Sequence, residues 1–402
     1  MILKKIYKYF KQREFLYIIK KRDITILWFP YIESTEEFSR ELSRIVWYLN
    51  PISKKIKNIT LIVNSEININ NFSVPDYIDN SIKKLYEQLE DKIIFKNEIE
   101  KNIKYDVIIK WKNIKTKIMP KALTTIHSDI NFHQFDSTKL IKFSRNFLVK
   151  NEIIENNNRL KNLLENLINL DYKSVLLVGS GPSGNKINPI NNTEVLSIIC
   201  NSVVNNKELL QKINPSIIVA TDTVFHSGYS KYAEEFRKKT CKVLDEYPQC
   251  FFLVPTRDLL IYKSNMNPIY HNRIIGIEGK KNISTNLNLL KRQVVKSTSN
   301  VLTFFMLPLA TTISKEILLI GFDGKGKNEN NKFWSYEKKS QFIEQMKYTK
   351  IAHPAFYKVN YQEYNTTHLK EVEKIIDILI DKKVDIRSLT PSHIPTINKF
   401  YS

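Results

Sequence analysis

Glycine is scarce in this chain of 402 residues, and the first 178 residues contain none. All nine glycines lie between Gly179 and Gly326, and three of them fall in one hexapeptide, residues 179–184. Glycine lacks a Cβ, so in a chain with few glycines each one indicates a position where the backbone closely approaches another group. We therefore expect the chemistry of this protein in its second half.

Cysteine and long apolar runs are scarce as well. The three cysteines, Cys200, Cys241 and Cys250, have no metal-ligand spacing, so we expect reduced core thiols in a cytosolic protein. No uncharged apolar run of about 18 residues occurs, so no transmembrane helix is predicted. The hydrophobic fraction of 42% is typical of a globular protein, and the length favours two domains.

Positive charge is in excess, with a net charge of +21. Residues 1–22 hold eight Lys or Arg and one Glu, a net +7, among apolar and aromatic residues at roughly helical spacing. Such a basic amphipathic helix fits the surface of an anionic membrane, and a solvated helix packed on its own domain is the alternative. The remaining charge is scattered without a nucleic-acid-binding motif, so no nucleic-acid partner is expected.

Apolar runs alternate with helix-like stretches in two blocks, which predicts an α/β fold with two Rossmann-like domains and mostly parallel sheets. The predicted strands are residues 24–29, 59–63, 93–95 and 107–109 in the first block, and 174–178, 195–200, 216–221, 250–254, 273–277, 316–320 and 384–386 in the second. The predicted domains are the basic helix 1–22, an N-terminal domain 23–150, a helical linker 151–171 and a catalytic domain 172–402. A last helix is predicted over residues 369–380.

The hexapeptide follows a predicted strand and matches Gly-x-Gly-x-x-Gly, the dinucleotide-binding pattern. That pattern also requires an acidic residue about twenty positions later, at the end of the second strand. Here the second strand ends in Asn201, and Pro182 interrupts the turn, so a dinucleotide is disfavoured. A phosphate over the turn remains the prediction, because backbone N–H groups and a helix dipole would face it.

Polar residues also follow other predicted strands. Asp222 follows the third strand, where it serves either a ligand or a helix N-cap. An apolar helix is predicted to follow Thr298, Ser299 and Asn300. These residues either cap that helix or bind an anion at its N-terminus. Asp323 follows the strand 316–320.

An aromatic stretch from residue 333 to residue 368 has weak periodicity and is predicted to form a loop or lid. It contains Tyr336 and two histidines, His353 and His368. A histidine of near-neutral pKa is a natural general base for a sugar hydroxyl. We expect His368 to open the last helix, where the helix dipole would lower its pKa.

These motifs, in this order, resemble the bacterial sialyltransferase family represented by the Campylobacter lipooligosaccharide sialyltransferases. The matching segments are 179–183, 200–202, 222–225, 298–300, 321–323 and 389–392, within residues 172–395. The resemblance implies a glycosyltransferase-like fold and an inverting enzyme that takes a CMP-activated sugar acid, such as CMP-sialic acid, without a metal or other cofactor.

The resemblance also implies roles for individual residues. Residues 179–183 (Gly179, Ser180, Gly181, Pro182 and Ser183) would hold the phosphate, Asn201 and Asp222 the cytidine, and Ser299 the donor carboxylate. Tyr336 and His353 would act on the leaving phosphate. His368 would be the base, with Tyr364 lying equally close to the position of the family's histidine.

The expected acceptor is a surface glycan or a lipid-linked sugar at the cytoplasmic face of a bacterial inner membrane, with a homo-oligomer left open. A pterin pyrophosphokinase-like enzyme is one alternative, since that family has a similar Gly-x-Gly-Pro-Ser turn. It would need Mg²⁺ held by carboxylates such as Asp222 and Asp323. A non-catalytic nucleotide-sugar-binding scaffold is the other alternative.

Overall fold

The computed structural model describes residues 17–100, 102–111, 120–128, 134–326, 337–358 and 360–401. The chain divides into two compact units. The first comprises Met1–Leu148, Gly228–Lys231 and Tyr348–Tyr357, and the second Val149–Ser227, Tyr232–Lys347 and Lys358–Ser402. Of the basic segment 1–22, residues 1–16 lie outside the described part. No helix among the described residues is long and apolar enough to cross a bilayer.

The first unit is built on a sheet of five parallel strands in the order β3-β2-β1-β4-β5. Its strands are β1 (Ile24–Ile32), β2 (Ile56–Val63), β3 (Ile93–Lys96), β4 (Tyr105–Trp111) and β5 (Ala122–Ser128), and its helices α1 (Thr35–Leu49), α2 (Ile82–Glu87) and α3 (Gln134–Arg145). Isoleucine-rich central strands are buried, as the apolar runs predict. Strand β5 was not predicted, because it lies at the sheet edge and most of its residues are only partly buried.

The second unit contains eight parallel strands in the order β11-β10-β9-β8-β7-β6-β12-β13. They are β6 (Ser174–Val178), β7 (Val195–Cys200), β8 (Ile217–Val219), β9 (Phe251–Pro255), β10 (Ile274–Lys280), β11 (Val294–Lys296), β12 (Glu316–Ile320) and β13 (Asp385–Ser388). Strand β6 lies between β7 and β12, and the later strands β8–β11 continue beyond β7 while β13 lies beyond β12. The strand order therefore reverses between β6 and β12, which is where open α/β sheets bind ligands.

Helices cover this second sheet. They are α4 (Lys150–Asn169), α5 (Lys207–Ile213), α6 (Lys231–Glu246), α7 (Leu259–Asn265), α8 (Leu307–Ile313), α10 (Tyr361–Asp381) and α11 (Pro395–Asn398). Most of α9 (Met346–Ala352) is assigned to the first unit. A π-helical turn, Leu302–Met306, runs directly into α8. The two sheets confirm the predicted fold class of two Rossmann-like domains.

Helix α4 occupies the segment expected as a linker, and its apolar face belongs to the core of the second unit. Leu160 and Leu164 are fully buried there. On the same helix Asn156 is buried and holds the backbone of Gly276 from both sides. Its Nδ2 donates to the Gly276 oxygen at 2.8 Å, and its Oδ1 accepts from the Gly276 N–H at 2.7 Å. This paired contact fixes α4 against β10.

We expect Asn156→Ala to lower the free energy of unfolding of the second unit by about 2–4 kcal/mol, because two buried backbone groups lose their partners. Urea unfolding followed by circular dichroism measures this change. Asn158→Ala is the matched control, since Asn158 is exposed on the same helix and its removal should cost under about 0.5 kcal/mol. Equal shifts for the two variants would contradict this account of the contact.

Candidate functional site

The glycine turn lies at the strand-order reversal, where the ends of β6 and β12 touch. The Gly179 N–H donates to the Ile320 oxygen at 2.8 Å, and the Gly181 N–H donates to the Gly321 oxygen at 2.9 Å. A Cβ on Gly181 would lie 2.7 Å from the Gly321 oxygen, and Gly321 has a φ of +75°. The scarce glycines are therefore required by contact between two backbone segments, as well as by any ligand above them.

This contact changes the expected phosphate cradle. The N–H groups of Gly179 and Gly181 are already bonded, and the Gly184 N–H donates to the Gly181 oxygen at 3.1 Å. Among the described residues the Ser180 N–H has no partner, and Ser180 faces a cleft. Ser180 is thus the residue of this turn whose backbone N–H is available to an anion.

Ser183 and Asp323 hold the turn together. The Asp323 carboxylate accepts from the Ser183 N–H at 3.2 Å and from its Oγ at 2.9 Å. The same Oγ accepts from the Gly321 N–H at 3.2 Å and from Thr390 Oγ1 at 2.9 Å. Ser183 is buried and does not line the cleft, so it serves the turn instead of the phosphate role expected of it. Pro182 is exposed at the start of the following short helix.

Beside the turn, the second unit contains an open cleft, with about 530 Å³ of space that includes open solvent. Seven of the residues predicted from the sequence line it, namely residues 179–181, Asn201, Asn300, Asp323 and His368. The structure thus brings together the predicted strand ends and one of the predicted histidines.

Asn201 is a polar residue of the cleft whose side-chain oxygen is not satisfied by the described protein. It follows β7 with a φ of +52°, a left-handed conformation that Asn tolerates better than most residues. Its Oδ1 is buried and has no hydrogen-bond partner among the described residues. A buried acceptor without a donor is costly, and a ligand N–H or O–H would remove that cost.

Asp222 caps a turn, whereas the alternative prediction was a helix N-cap, and the next helix begins only at Lys231. Its Oδ1 accepts from the Val224 N–H at 2.7 Å and the Phe225 N–H at 3.0 Å, and the residue does not line the cleft. Burial raises the pKa of Asp222. Asp323 accepts hydrogen bonds from Ser183, so both carboxylates proposed for Mg²⁺ already accept hydrogen bonds from other residues of the chain. Within the described ranges no three His, Cys, Asp or Glu side chains converge as metal ligands.

His368 lies inside helix α10, which begins at Tyr361, eight residues before the predicted start. The prediction that His368 opens the helix is therefore wrong, and so is the argument from the helix dipole. Instead, burial lowers the pKa of His368 to about 4. The imidazole is neutral at pH 7 and lines the cleft, as a general base requires.

The same face of α10 carries Tyr364, the alternative to His368 as the base, and Glu371, which was not predicted as a site residue. Tyr364, His368 and Glu371 follow each other at spacings of four and three, which places them on one side of a helix. The Tyr364 hydroxyl donates to the Ser299 oxygen at 2.6 Å. Burial, followed by the nearby Asp222 and Glu371 carboxylates, raises the pKa of Tyr364. The helical spacing would have revealed this face, had the helix been predicted to begin at residue 361.

Glu371 occupies the place expected for a donor carboxylate. Its Oε2 accepts from the Ser299 N–H at 2.9 Å and from Ser299 Oγ at 2.6 Å. Neighbouring Thr298 lines a second cavity instead of the cleft, and its Oγ1 accepts from Thr303 Oγ1 at 2.9 Å. Of the predicted anion-binding cluster, Asn300 alone faces the cleft.

The structure does not bring His353 into this cleft. His353 is fully buried in the first unit, with its ring 5.2 Å from the ring of Tyr229. The Tyr229 hydroxyl donates to the Ala352 oxygen at 2.9 Å, so these aromatic groups pack in the core of that unit. Tyr336 lies outside the described residues.

Comparison with known proteins gives no family for this chain. No family model matches it, and no curated protein matches it. Among solved structures, the sialyltransferase CstII from Campylobacter jejuni, in complex with the substrate analogue CMP-3FNeuAc, is similar to it at 17% identity. The match covers 56% of this chain and 88% of that chain with a TM-score of 0.28, a level that carries no information on residues or chemistry.

The depressed pKa of His368 predicts how stability changes with pH. Between about pH 6.5 and pH 4, His368 is protonated in the unfolded chain but neutral in the folded protein. The contribution of this group to the free energy of unfolding is therefore complete above pH 6.5 and decreases as the pH falls towards 4. His226, whose pKa burial lowers to about 3, acts in the same direction. We expect His368→Gln to remove about 2 kcal/mol of the loss between pH 7.5 and pH 5.0.

Thermal unfolding of both proteins at pH 7.5 and pH 5.0 measures this difference. NMR of the imidazole carbons is the independent control, because the His368 ring should stay neutral until the pH approaches 4. A His368 ring that titrates near pH 6.5 would contradict the assignment.

Proposed function

We propose that this protein is a glycosyltransferase that transfers a sugar acid from a CMP-activated donor, with inversion. The observation that carries the proposal is the combination in one cleft of an available backbone N–H at Ser180, an unsatisfied amide oxygen at Asn201 and a neutral histidine at His368. These groups supply an anion contact, a nucleoside contact and a proton acceptor. The cleft lies at the strand-order reversal, where α/β sheets bind nucleotides.

In the proposed reaction the acceptor hydroxyl attacks the anomeric carbon of the donor sugar. The bond between that carbon and the phosphate oxygen breaks, and its electron pair leaves with CMP. His368 takes the acceptor's proton, which fits its neutral state in the cleft. The product is the glycoside, and the enzyme returns its proton to solvent.

The donor contacts are proposed as follows. Asn201 Oδ1 accepts from an amino or hydroxyl group of cytidine, and Ser180 binds the phosphate. A monophosphate leaving group carries less charge than a diphosphate, so we propose that no metal or other cofactor is required. Tyr336 keeps its proposed role at the leaving phosphate, and its neighbour Glu337 donates its N–H to the Ser180 oxygen at 2.9 Å.

The acceptor and the location are part of the same proposal. We propose a surface glycan or lipid-linked acceptor, reached from the cytoplasmic face of the inner membrane. The basic segment 1–22 supports this location, since its net charge of +7 suits an anionic lipid surface.

We expect CMP to stabilise the protein in a thermal-shift panel that also contains UDP, GDP, NAD, and ATP with Mg²⁺. Asn201→Gly should lower CMP affinity by about tenfold or more, because it removes one hydrogen-bonding group but suits the left-handed backbone. Asn214→Gly is the matched control, since Asn214 is also left-handed and lies outside the cleft. Stabilisation by ATP with Mg²⁺ alone would favour the kinase-like alternative.

We expect His368→Ala to reduce turnover by about 10²- to 10⁴-fold while CMP affinity stays within a few-fold, because the base is lost but the nucleotide contacts remain. Tyr364→Phe separates the two candidate bases: it should keep most of the turnover, since the Tyr364 hydroxyl already donates to Ser299. Radiolabelled transfer from CMP-sialic acid measures both variants. Full turnover in His368→Ala would remove that residue from the mechanism.

A further inference from the structure

Residues 337–341, which we call the strap, contact the glycine turn at their first residue. The Glu337 N–H donates to the Ser180 oxygen at 2.9 Å. The N–H of the same peptide group, that of Gly181, donates to the Gly321 oxygen at 2.9 Å. Because a peptide group is planar, these two hydrogen bonds hold it at both edges. The strap therefore helps to fix the backbone next to the N–H that we propose for the phosphate.

Further along the chain, the strap contacts the turn that carries Asn201. This turn is the short helix Asn201–Asn205, which directly follows β7. Asn205 Nδ2 donates to the Lys339 oxygen and to the Gln341 oxygen, both at 3.0 Å. One amide from the turn of the proposed nucleoside contact thus holds two backbone oxygens of the strap.

Buried polar side chains hold the strap in the same place. Ser340 is 1% exposed, and its Oγ accepts from Asn206 Nδ2 at 3.1 Å. Gln341 Nε2 donates to the Oγ of buried Ser202 at 3.0 Å. Because a buried polar group that loses its partner is costly, these contacts keep the strap at a fixed position between the two turns.

A nucleoside monophosphate needs both turns at once. Its phosphate and its nucleoside are joined covalently, so both contacts form together only when the protein groups lie at a matching distance. Protein groups that are held at that distance before binding lower the entropy cost of association. A nucleoside without a phosphate uses one of the two contacts, and its affinity does not depend on their spacing.

We propose that the strap positions Ser180 relative to Asn201 and so sets the spacing of the phosphate and nucleoside contacts. This inference rests on the proposed function. Glu337, through its backbone N–H, and Asn205, through its side-chain amide, are positioning residues. Neither of them lines the cleft, so both act on the ligand through the two turns.

Isothermal titration of the full chain with CMP and with cytidine tests the proposal. Glu337→Pro removes the N–H that holds Ser180, and the backbone accepts proline because Glu337 has a φ of −65°. This variant should weaken CMP binding about tenfold and leave cytidine binding within about twofold of wild type. Glu337→Ala keeps the N–H, so it should bind CMP about fivefold or more tightly than Glu337→Pro does.

Asn205→Ala supplies a second measurement. It should weaken CMP binding about threefold and add nothing in the Glu337→Pro background, because both changes act through the same segment. Glu208→Gln is the matched control, since it removes only an exposed ion pair with Lys339 of the strap. The control should change neither affinity.

Equal losses of CMP and cytidine affinity in Glu337→Pro, or unchanged CMP affinity in Asn205→Ala, would overturn this inference alone. Circular dichroism of each variant verifies that the fold is retained. If the wild-type protein does not bind CMP, the proposed function fails and the inference fails with it.

Discussion

The close approach of β6 and β12 is the constraint on which the rest of the site depends. Gly179 and Gly321 meet backbone to backbone, and a Cβ on either would run into the other strand end. Any side chain there would push the two strands apart and destroy the hydrogen bonds that join their ends. Because the turn, Asn201 and Asp323 all extend from strands placed by this contact, a shift of one strand end would disperse the cleft.

The polar side chains around the glycine turn hydrogen-bond to one another within the protein. One wall of the cleft is therefore ordered without a ligand. Asp323, Ser183 and Thr390 form a chain of hydrogen bonds that joins the ends of β12, β6 and β13. Each such bond contributes on the order of 1 kcal/mol. A wall built in advance lowers the entropy cost of binding, because fewer groups have to be ordered. Asn201 Oδ1 remains an acceptor that a ligand could satisfy.

The sequence was informative where one physical signal dominates. Apolar runs predict the buried strands, and glycine scarcity locates the turn, because both follow from burial and sterics. Strand β5 was missed since an edge strand is only half buried, and the start of α10 was missed since its first turns are polar. The roles of Ser183 and Ser299 depend on partners 140 and 72 residues away, which no local pattern encodes.

One helix, α10, carries the candidate base and both side chains that hold Ser299. Burial keeps His368 neutral but also makes it a weak proton acceptor, with a pKa of about 4. A phosphate anion placed in the same cleft stabilises the protonated imidazole and raises that pKa. Under the proposed function, the histidine becomes an effective base only after the donor has bound. Base strength would then depend on donor occupancy, so an empty cleft would hold a histidine that is both uncharged and chemically inactive.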